Sequence, residues 1–172
     1  MGRIVLITGG ARSGKTTFAL KQGAEGAGGG RKVYIATAQA LDQEMAERIA
    51  RHRKKRGGAW ETVEEPVHLD KAVRECASAS VMVIDCLTLW LSNLLCGRLG
   101  VEEAQARLVA ALGALEGPVR AYVVSNEVGM GIVPENDMAR LYRDMAGRLN
   151  QAVAHVADEV YLMVSGLPLR IK

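Results

Sequence analysis

A short apolar run near the start of the chain leads directly into a glycine-rich segment that ends in Lys-Thr. Residues 3–8 read Arg-Ile-Val-Leu-Ile-Thr, which predicts a buried strand. Residues 9–16 read Gly-Gly-Ala-Arg-Ser-Gly-Lys-Thr and fit the pattern G-x-x-x-x-G-K-[ST]. A helical pattern follows, from about residue 14 to residue 27. A strand, this loop and a helix, in that order, predict a phosphate-binding loop and constrain the chain to an α/β nucleotide-binding fold.

The chemistry of this loop depends on its backbone as much as on its side chains. Glycines allow successive N–H groups to point into one concavity, and the helix N-terminus adds its positive end. Lys15 is then placed to neutralise the β- and γ-phosphates, and the Thr16 hydroxyl to hold Mg²⁺. The alternative, a glycine-rich turn with an incidental Lys-Thr, is disfavoured by the flanking strand and helix. We therefore predict nucleotide contacts along the whole loop: Gly9, Gly10, Ala11, Arg12, Ser13, Gly14, Lys15 and Thr16.

Short β-rich apolar runs alternate with helical patterns along the rest of the chain. The further predicted strands are 32–36, 60–63, 81–85, 120–125, 159–164 and 169–171. Further helices are predicted over 42–56, from Pro66 onwards, and over 87–95, 101–115 and 137–157. Strands that are apolar throughout and alternate with helices predict a mostly parallel sheet covered on both faces, in three layers. The last two strands are joined by a tight turn, which predicts an antiparallel edge hairpin, and residues 1–172 are expected to form one domain.

Composition and charge exclude several other classes of protein. Twenty-two Lys and Arg against 19 Asp and Glu give a net charge of +3, and aromatic residues make up only 4%. We therefore expect no nucleic-acid partner. The three cysteines form no CxxC pair and, like Met130 and Trp90, are predicted to be packing residues. No run is long enough to span a membrane, and a cytoplasmic location is expected.

Asp85 directly follows the apolar run Val-Met-Val-Ile at residues 81–84. A phosphate-binding loop needs a carboxylate at the end of another buried strand to complete the shell of the metal ion. Asp85 and Thr16 are therefore the predicted ligands of Mg²⁺. An N-cap role for Asp85, at the start of the following helix, is an alternative that is compatible with metal binding.

A strongly basic segment lies at the end of the second predicted helix. Seven of the nine residues at positions 48–56 are Arg, Lys or His, and His52 is the histidine among them. Repulsion between like charges favours the neutral imidazole, which is the nucleophilic form, and the neighbouring cations could bind a polyphosphate. A histidine nucleophile that attacks a nucleotide α-phosphate is one interpretation. The other is a solvated helix end whose cations suit the helix dipole.

These residues together resemble the bifunctional adenosylcobinamide kinase/adenosylcobinamide-phosphate guanylyltransferase family of cobalamin biosynthesis. The resemblance covers nearly the whole chain, and its most specific parts are the His52 segment and the loop from Asn126 to Asn136. Its other parts are the phosphate-binding loop, the segments 34–38, 60–64 and 85–88, and the ending from Ala157 to Lys172.

The resemblance implies two reactions on a RecA-like fold. ATP or GTP phosphorylates the hydroxyl of the aminopropanol arm of adenosylcobinamide. GTP then guanylylates His52 with loss of pyrophosphate, and the GMP passes to the new phosphate to give adenosylcobinamide-GDP. His52 and Lys15 are the implied catalytic residues. The nucleotide contacts implied outside the loop are Ala36, Thr37, Ala38, Arg53, Lys54, Lys55, Arg56, Glu64 and Asp85.

Two other functions stay open on the sequence alone. One is a monofunctional P-loop kinase for a small molecule, in which His52 is idle. The other is a nucleotide-gated switch or partner-binding ATPase without an acceptor. The Asn126 to Asn136 loop is predicted to contact the acceptor or another subunit, and the resemblance implies a trimer. Because the helix of His52 follows a different strand, we expect His52 to lie well away from the phosphate-binding loop.

Overall fold

The computed structural model describes residues 2–172, and for Arg48, Lys55 and Arg56 it describes the backbone alone. Within these residues strands and helices alternate as the sequence predicts. The strands are β1 (Arg3–Gly9), β2 (Lys32–Ala36), β3 (Glu61–Glu64), β4 (Val81–Asp85), β5 (Arg120–Val124), β6 (Glu159–Val164) and β7 (Leu167–Arg170). The helices are α1 (Lys15–Gly26), α2 (Gln43–Arg56), α3 (Leu69–Glu75), α4 (Leu87–Cys96), α5 (Val101–Gly113) and α6 (Asp137–Val156), with a short 3-10 turn at Gly57–Ala59.

All seven strands form one sheet, in the order β3-β2-β4-β5-β1-β6-β7. Every neighbouring pair is parallel except β6 and β7, which form the antiparallel hairpin predicted for the edge. The turn of this hairpin has positive φ at both Ser165 and Gly166, as a tight two-residue turn between right-twisted strands requires. The prediction of a mostly parallel sheet with one antiparallel edge hairpin is therefore confirmed.

Helices cover both faces of this sheet, because alternate residues of the central strands point to opposite sides. Val5 and Ile7 of β1 belong to one buried cluster, which includes Ala19 of α1. Ile4 and Leu6 belong to the other cluster, on the face that α3, α4, α5 and α6 cover. The largest buried side chains of that second face include Leu69, Trp90, Leu108 and Leu112. The result is the three-layer α/β architecture predicted from the alternation.

Two local predictions are wrong, and each has a physical reason. Pro66 does not open a helix, because the Glu65 carboxylate accepts the backbone N–H groups of Val67 and His68 at 2.9 and 2.7 Å and holds a turn there. The helix begins at Leu69 instead. Cys96 and Met130 are exposed rather than packed in the core, since Cys96 ends α4 and Met130 lies in a loop without regular structure.

Between residues 2 and 172 there is no helix that is both long and apolar enough to cross a lipid bilayer.

Candidate functional site

The carboxyl ends of the parallel strands meet along one edge of the sheet, where ligands bind in open α/β folds. A single row of paired residues crosses the sheet near this edge: Glu64, Ala36, Asp85, Val124 and Ile7. The phosphate-binding loop follows β1 at the same edge. The register therefore places three of the predicted regions, the loop, Asp85 and Glu64, on one side of the molecule.

Two glycines give the phosphate-binding loop its shape. Gly9 has φ of 144°, and a Cβ there would lie 2.5 Å from the carbonyl oxygen of Met163 on β6. Gly14, the N-cap of α1, has φ of 96°, which is also outside the range that other residues prefer. The backbone of Ser13 donates to the carbonyl of Gly10 and closes the turn between them. The loop therefore curves around the start of α1, the arrangement that binds phosphate.

Lys15 lies over this loop and is almost wholly buried, with 7% of its surface exposed. Its ammonium group donates to the carbonyl oxygens of Gly9 and Gly10 at 3.0 and 2.5 Å and to Ser13 Oγ at 3.4 Å. These contacts fix the positive charge in the concavity of the loop. Lys15 is therefore positioned to bind phosphate oxygens, the role predicted for it.

Asp85 links the loop to the neighbouring strands through one carboxylate oxygen. Its Oδ2 accepts the Thr16 hydroxyl at 2.9 Å and the Tyr34 hydroxyl at 2.5 Å. Tyr34 is on β2, so three segments of the chain meet at this oxygen. The following helix is N-capped by Cys86 rather than by Asp85. The structure therefore places Asp85 beside Thr16, as a shared metal site requires, and not at the N-cap position.

His52 lies in the same site, and the prediction that it is remote from the loop is wrong. Its Nδ1 is 4.0 Å from Asp85 Oδ2. The reason is the order of the strands: β2 lies next to β4 and Ala36 pairs with Asp85, so α2, which follows β2, starts from the strand beside Asp85. The imidazole and the phosphate-binding loop are thus brought together through Asp85 within one chain.

The basic residues after His52 are divided between the site edge and solvent. Arg53 forms an ion pair with Glu64, and these are two of the predicted nucleotide contacts. Lys54 is exposed. The predictions for Lys55 and Arg56 fall on side chains outside the described part of the structure. Cationic groups therefore lie next to His52, and their contact with a nucleotide stays a prediction.

The segment after β2 has a structural role that the sequence did not indicate. The buried Thr37 hydroxyl donates to the carbonyl of Cys86 and accepts its N–H, both at 2.8 Å. The Asn93 amide donates to the carbonyl of Thr37 at 2.8 Å. Thr37 thereby holds the backbone that carries Asp85, while Ala36 and Ala38 are half-buried beside it. Nucleotide contacts by Ala36, Thr37 and Ala38 stay predictions.

The residues at Asp85 suit a magnesium ion. Mg²⁺ prefers oxygen ligands and usually binds proteins through one or two carboxylates, with phosphates and water completing its shell. Thr16 supplies a hydroxyl and Asp85 a carboxylate, and their oxygens lie 2.9 Å apart. Among the described residues no group of three or more His, Cys, Asp and Glu forms a closed cage for a metal. The donor set therefore fits a metal that is held jointly with a nucleotide.

The structure places Tyr34 beside Asp85 and Glu127 beside the phosphate-binding loop. Neither was among the predicted catalytic or nucleotide-binding residues, although Glu127 lies in the segment 126–136 that was predicted to contact the acceptor or another subunit. Tyr34 is a buried tyrosine in a mostly apolar strand. Because a buried tyrosine hydroxyl usually has a hydrogen-bond partner, the sequence could have indicated that Tyr34 contacts a polar group. Glu127 donates its backbone N–H to the carbonyl of Gly9 at 3.0 Å.

Cys86, directly after Asp85, is not a candidate nucleophile, because burial raises the pKa of its thiol to about 11.

Comparisons with known proteins agree with this geometry. The model of the family described as cobinamide kinase / cobinamide phosphate guanyltransferase matches residues 5–171. The chain is 48% identical to the bifunctional adenosylcobalamin biosynthesis protein CobP of Pseudomonas aeruginosa, over 97% of this chain and 96% of that protein. It is 41% identical to the bifunctional adenosylcobalamin biosynthesis protein CobU of Escherichia coli, over 98% of this chain and 99% of that protein.

Among solved structures, a KaiC-like protein of Pyrococcus horikoshii superposes with a TM-score of 0.52 at 21% identity. The match covers 94% of this chain and 70% of that one. At this level of identity the likeness concerns the fold alone, and it identifies the fold as RecA-like.

Proposed function

The chain belongs to the cobinamide kinase / cobinamide phosphate guanyltransferase family. We propose that it catalyses both reactions of this family and that both take place in one active site. In the first, a nucleoside triphosphate phosphorylates adenosylcobinamide. In the second, GMP from GTP passes through His52 to the new phosphate and gives adenosylcobinamide-GDP, an intermediate of cobalamin synthesis. Residues 1–172 act in this proposal as one domain.

The observation that carries the proposal is the position of Asp85 between the two predicted catalytic regions. Its Oδ2 accepts a hydrogen bond from Thr16 of the phosphate-binding loop and lies 4.0 Å from His52 Nδ1. A phosphate-binding loop alone supports a kinase, and a histidine alone supports many roles. A histidine beside the loop is what a nucleotidyl transfer through a covalent intermediate requires.

In the kinase step the loop binds the triphosphate through its backbone N–H groups and Lys15. The acceptor hydroxyl forms a bond to the γ-phosphorus, and the bond from that phosphorus to the β-phosphate oxygen breaks. Lys15 stabilises the negative charge on the phosphates, because its ammonium is already held in the concavity. When Mg²⁺ is bound, it neutralises phosphate charge, and Thr16 and Asp85 would hold it.

In the guanylyl step a nitrogen of His52 attacks the α-phosphorus of GTP, and pyrophosphate leaves. The phosphate of the phosphorylated acceptor then attacks the same phosphorus, which releases His52 for the next cycle. Cations on α2 favour both steps, since they attract the polyphosphate and offset the charge that develops on it. Arg53, Lys54, Lys55 and Arg56 are the residues proposed for this, with Glu64 fixing Arg53 through their ion pair.

We also propose a cytoplasmic homotrimer, as the family resemblance implies. The edge hairpin supports self-association, because β7 leaves one side of its backbone unpaired by another strand of the sheet. Val164, Leu167, Leu169 and Ile171 are exposed apolar residues on and after this hairpin. Exposed edges of this kind are normally covered in natural proteins. Light scattering after size-exclusion chromatography measures the oligomeric state.

The test of the two-step function uses GTP labelled at the α-phosphate, with Mg²⁺ and no acceptor. We expect label on the wild-type protein that survives alkali and is lost in acid, as a phosphoramidate does. His52→Ala should abolish the label and leave phosphorylation of the acceptor largely intact, whereas Lys15→Ala should reduce phosphorylation most. His155→Ala, an exposed histidine on α6, is the matched control. A wild-type enzyme that phosphorylates the acceptor but is never labelled would be a monofunctional kinase.

A further inference from the structure

A cavity of about 270 Å³ lies beside the phosphate-binding loop and has no assigned role in either proposed step. Gly10 and Ser13 of the loop line one part of it, and Glu127 lines another. The rest of the wall is formed by Met130, by the apolar end of β6 and by Ser165 in the hairpin turn. The cavity therefore joins the place where phosphates bind to an apolar surface, with one carboxylate between them.

The backbone fixes Glu127 at this position. Beyond the end of β5, the backbone N–H of Ser125 donates to the carbonyl of Ile7, and that of Glu127 donates to the carbonyl of Gly9, both at 3.0 Å. The chain thus continues alongside β1 until it reaches the loop. The backbone of Glu127 is consequently tied to the first residue of the phosphate-binding loop.

The carboxylate of Glu127 is also oriented by a local contact. Its Oε1 accepts the backbone N–H of Gly129 at 2.7 Å. Within the part of the chain that the structure describes, Oε2 forms neither a hydrogen bond nor an ion pair. One oxygen therefore holds the side chain, and the other is available to a ligand in the cavity.

The charge of Glu127 indicates what kind of ligand this is. A carboxylate repels phosphate oxygens, so Glu127 is badly suited to binding the nucleotide itself. It is well suited to accepting the proton of a hydroxyl group, as a positioned carboxylate does in protein kinases. The apolar wall of Met130, Leu162, Met163 and Val164 suits the hydrocarbon part of an alcohol rather than water.

We propose that Glu127 is the general base of the kinase step and that this cavity receives the alcohol arm of the acceptor. The proposal rests on the proposed function. The acceptor oxygen forms its bond to the γ-phosphorus while its proton passes to Glu127 Oε2. The bond from that phosphorus to the β-phosphate oxygen breaks, a nucleoside diphosphate leaves, and the protonated Glu127 returns its proton to water.

Glu127→Gln is the decisive variant, because the glutamine amide oxygen can still accept the N–H of Gly129 while the basic oxygen is lost. We expect kcat for phosphorylation of adenosylcobinamide to fall on the order of 10²–10⁴-fold. KM for the nucleotide should change little, and labelling of His52 by GTP should be unchanged, since that reaction needs no acceptor proton. Equal thermal unfolding midpoints would show that the fold is intact.

Three further variants separate the catalytic role of Glu127 from other effects. Glu102→Gln removes a carboxylate at an exposed position on α5, outside the cavity and outside the loop of Glu127, and it should leave kcat unchanged. Met130→Ala shortens the apolar wall, and it should raise KM for the acceptor several-fold with little effect on kcat. Glu127→Asp, which keeps a carboxylate, should retain more activity than Glu127→Gln.

The outcomes distinguish this inference from the proposed function. A wild-type protein that neither phosphorylates adenosylcobinamide nor forms the histidine adduct would overturn the proposed function and with it the role of Glu127. An active wild-type enzyme whose kcat is unchanged in Glu127→Gln would overturn the inference alone. Equal losses in phosphorylation and in His52 labelling would also overturn it, because Glu127 would then support the shared nucleotide site.

Discussion

His52 Nδ1 lies 4.0 Å from Asp85 Oδ2, the same oxygen that accepts the Thr16 hydroxyl. The histidine on α2 and the phosphate-binding loop after β1 are far apart in the sequence, and a single carboxylate oxygen lies against both. A change at this oxygen therefore affects the loop and the histidine together. Asp85 differs in this respect from Lys15 and His52, each of which we assign to one step.

Asp85→Asn should lower both reactions. Asparagine keeps the shape of the side chain but removes the charge that the proposed metal and the ordered loop require, so we expect each rate to fall on the order of 10²-fold or more. Initial rates of acceptor phosphorylation and of His52 labelling measure the two effects separately. Asp144→Asn, an exposed carboxylate paired with Arg143 on α6, is the control. A variant that lost only one of the two reactions would contradict the shared role of Asp85.

Tyr34→Phe should have a smaller effect on the same two rates. The variant removes the 2.5 Å hydrogen bond to Asp85 Oδ2 and leaves the one from Thr16. We expect both rates to fall by about tenfold and the free energy of unfolding to fall by about 1 kcal/mol, the usual net value of one hydrogen bond. Steady-state kinetics and urea unfolding measure these changes.

Tyr122→Phe is the matched control for Tyr34→Phe. Tyr122 is buried in β5, and it occupies the same row of the sheet as Tyr34, since both pair with Val83 of β4. Its hydroxyl makes no contact with Asp85 among the described residues, so the variant should leave both rates unchanged. Equal losses in the two variants would mean that Tyr34 acts through packing of the sheet rather than through Asp85.

Local sequence patterns were sufficient to predict most of the fold, because they report local conformation. The glycines and Lys-Thr of the phosphate-binding loop, the apolar strand before Asp85 and the turn of the edge hairpin are all encoded within a few residues. The position of His52 is not, because it depends on β2 lying beside β4, an order that no local pattern specifies. A similar limit applies to Glu127. Its loop was predicted to contact the acceptor or another subunit, but only the pairing with Gly9 shows that this carboxylate lies at the phosphate-binding loop.

Gly9→Ala should destabilise the protein, whereas Gly10→Ala should not. An alanine at position 9 would need φ of 144° and would place its Cβ 2.5 Å from the carbonyl oxygen of Met163. We expect a loss of about 2–4 kcal/mol in the free energy of unfolding. A Cβ at Gly10 meets nothing within 4 Å, and its φ is not in the left-handed region, so the change should be within about 0.5 kcal/mol.

Chemical denaturation of the two glycine variants measures this difference directly. The two positions are adjacent in the same loop but differ in what an added Cβ would contact, so Gly10→Ala is the control for Gly9→Ala. Equal stabilities for the two variants would show that β6 moves away from the loop without cost.

Glu159 should make stability depend on pH in the acidic range. Its carboxylate, 12% exposed, accepts the Tyr161 hydroxyl at 2.7 Å and pairs with Arg3 and, at 3.7 Å, with Arg170. The Tyr161 hydrogen bond and then the two arginines lower the pKa of Glu159 below its ordinary value of 4.5. Because the folded state favours the charged form, this contribution to stability is complete above 4.5 and is lost as pH falls through the lowered pKa.

Glu159→Gln tests this contribution. The glutamine amide oxygen can still accept the Tyr161 hydroxyl, but it cannot form the ion pairs. At pH 7 we expect the variant to be less stable by on the order of 1–2 kcal/mol. The difference should shrink as pH falls below 4.5, because the wild-type carboxyl is then also neutral. Urea unfolding across this range measures it, with the exposed Glu116→Gln as control. A difference that stayed constant with pH would assign the loss to packing and not to charge.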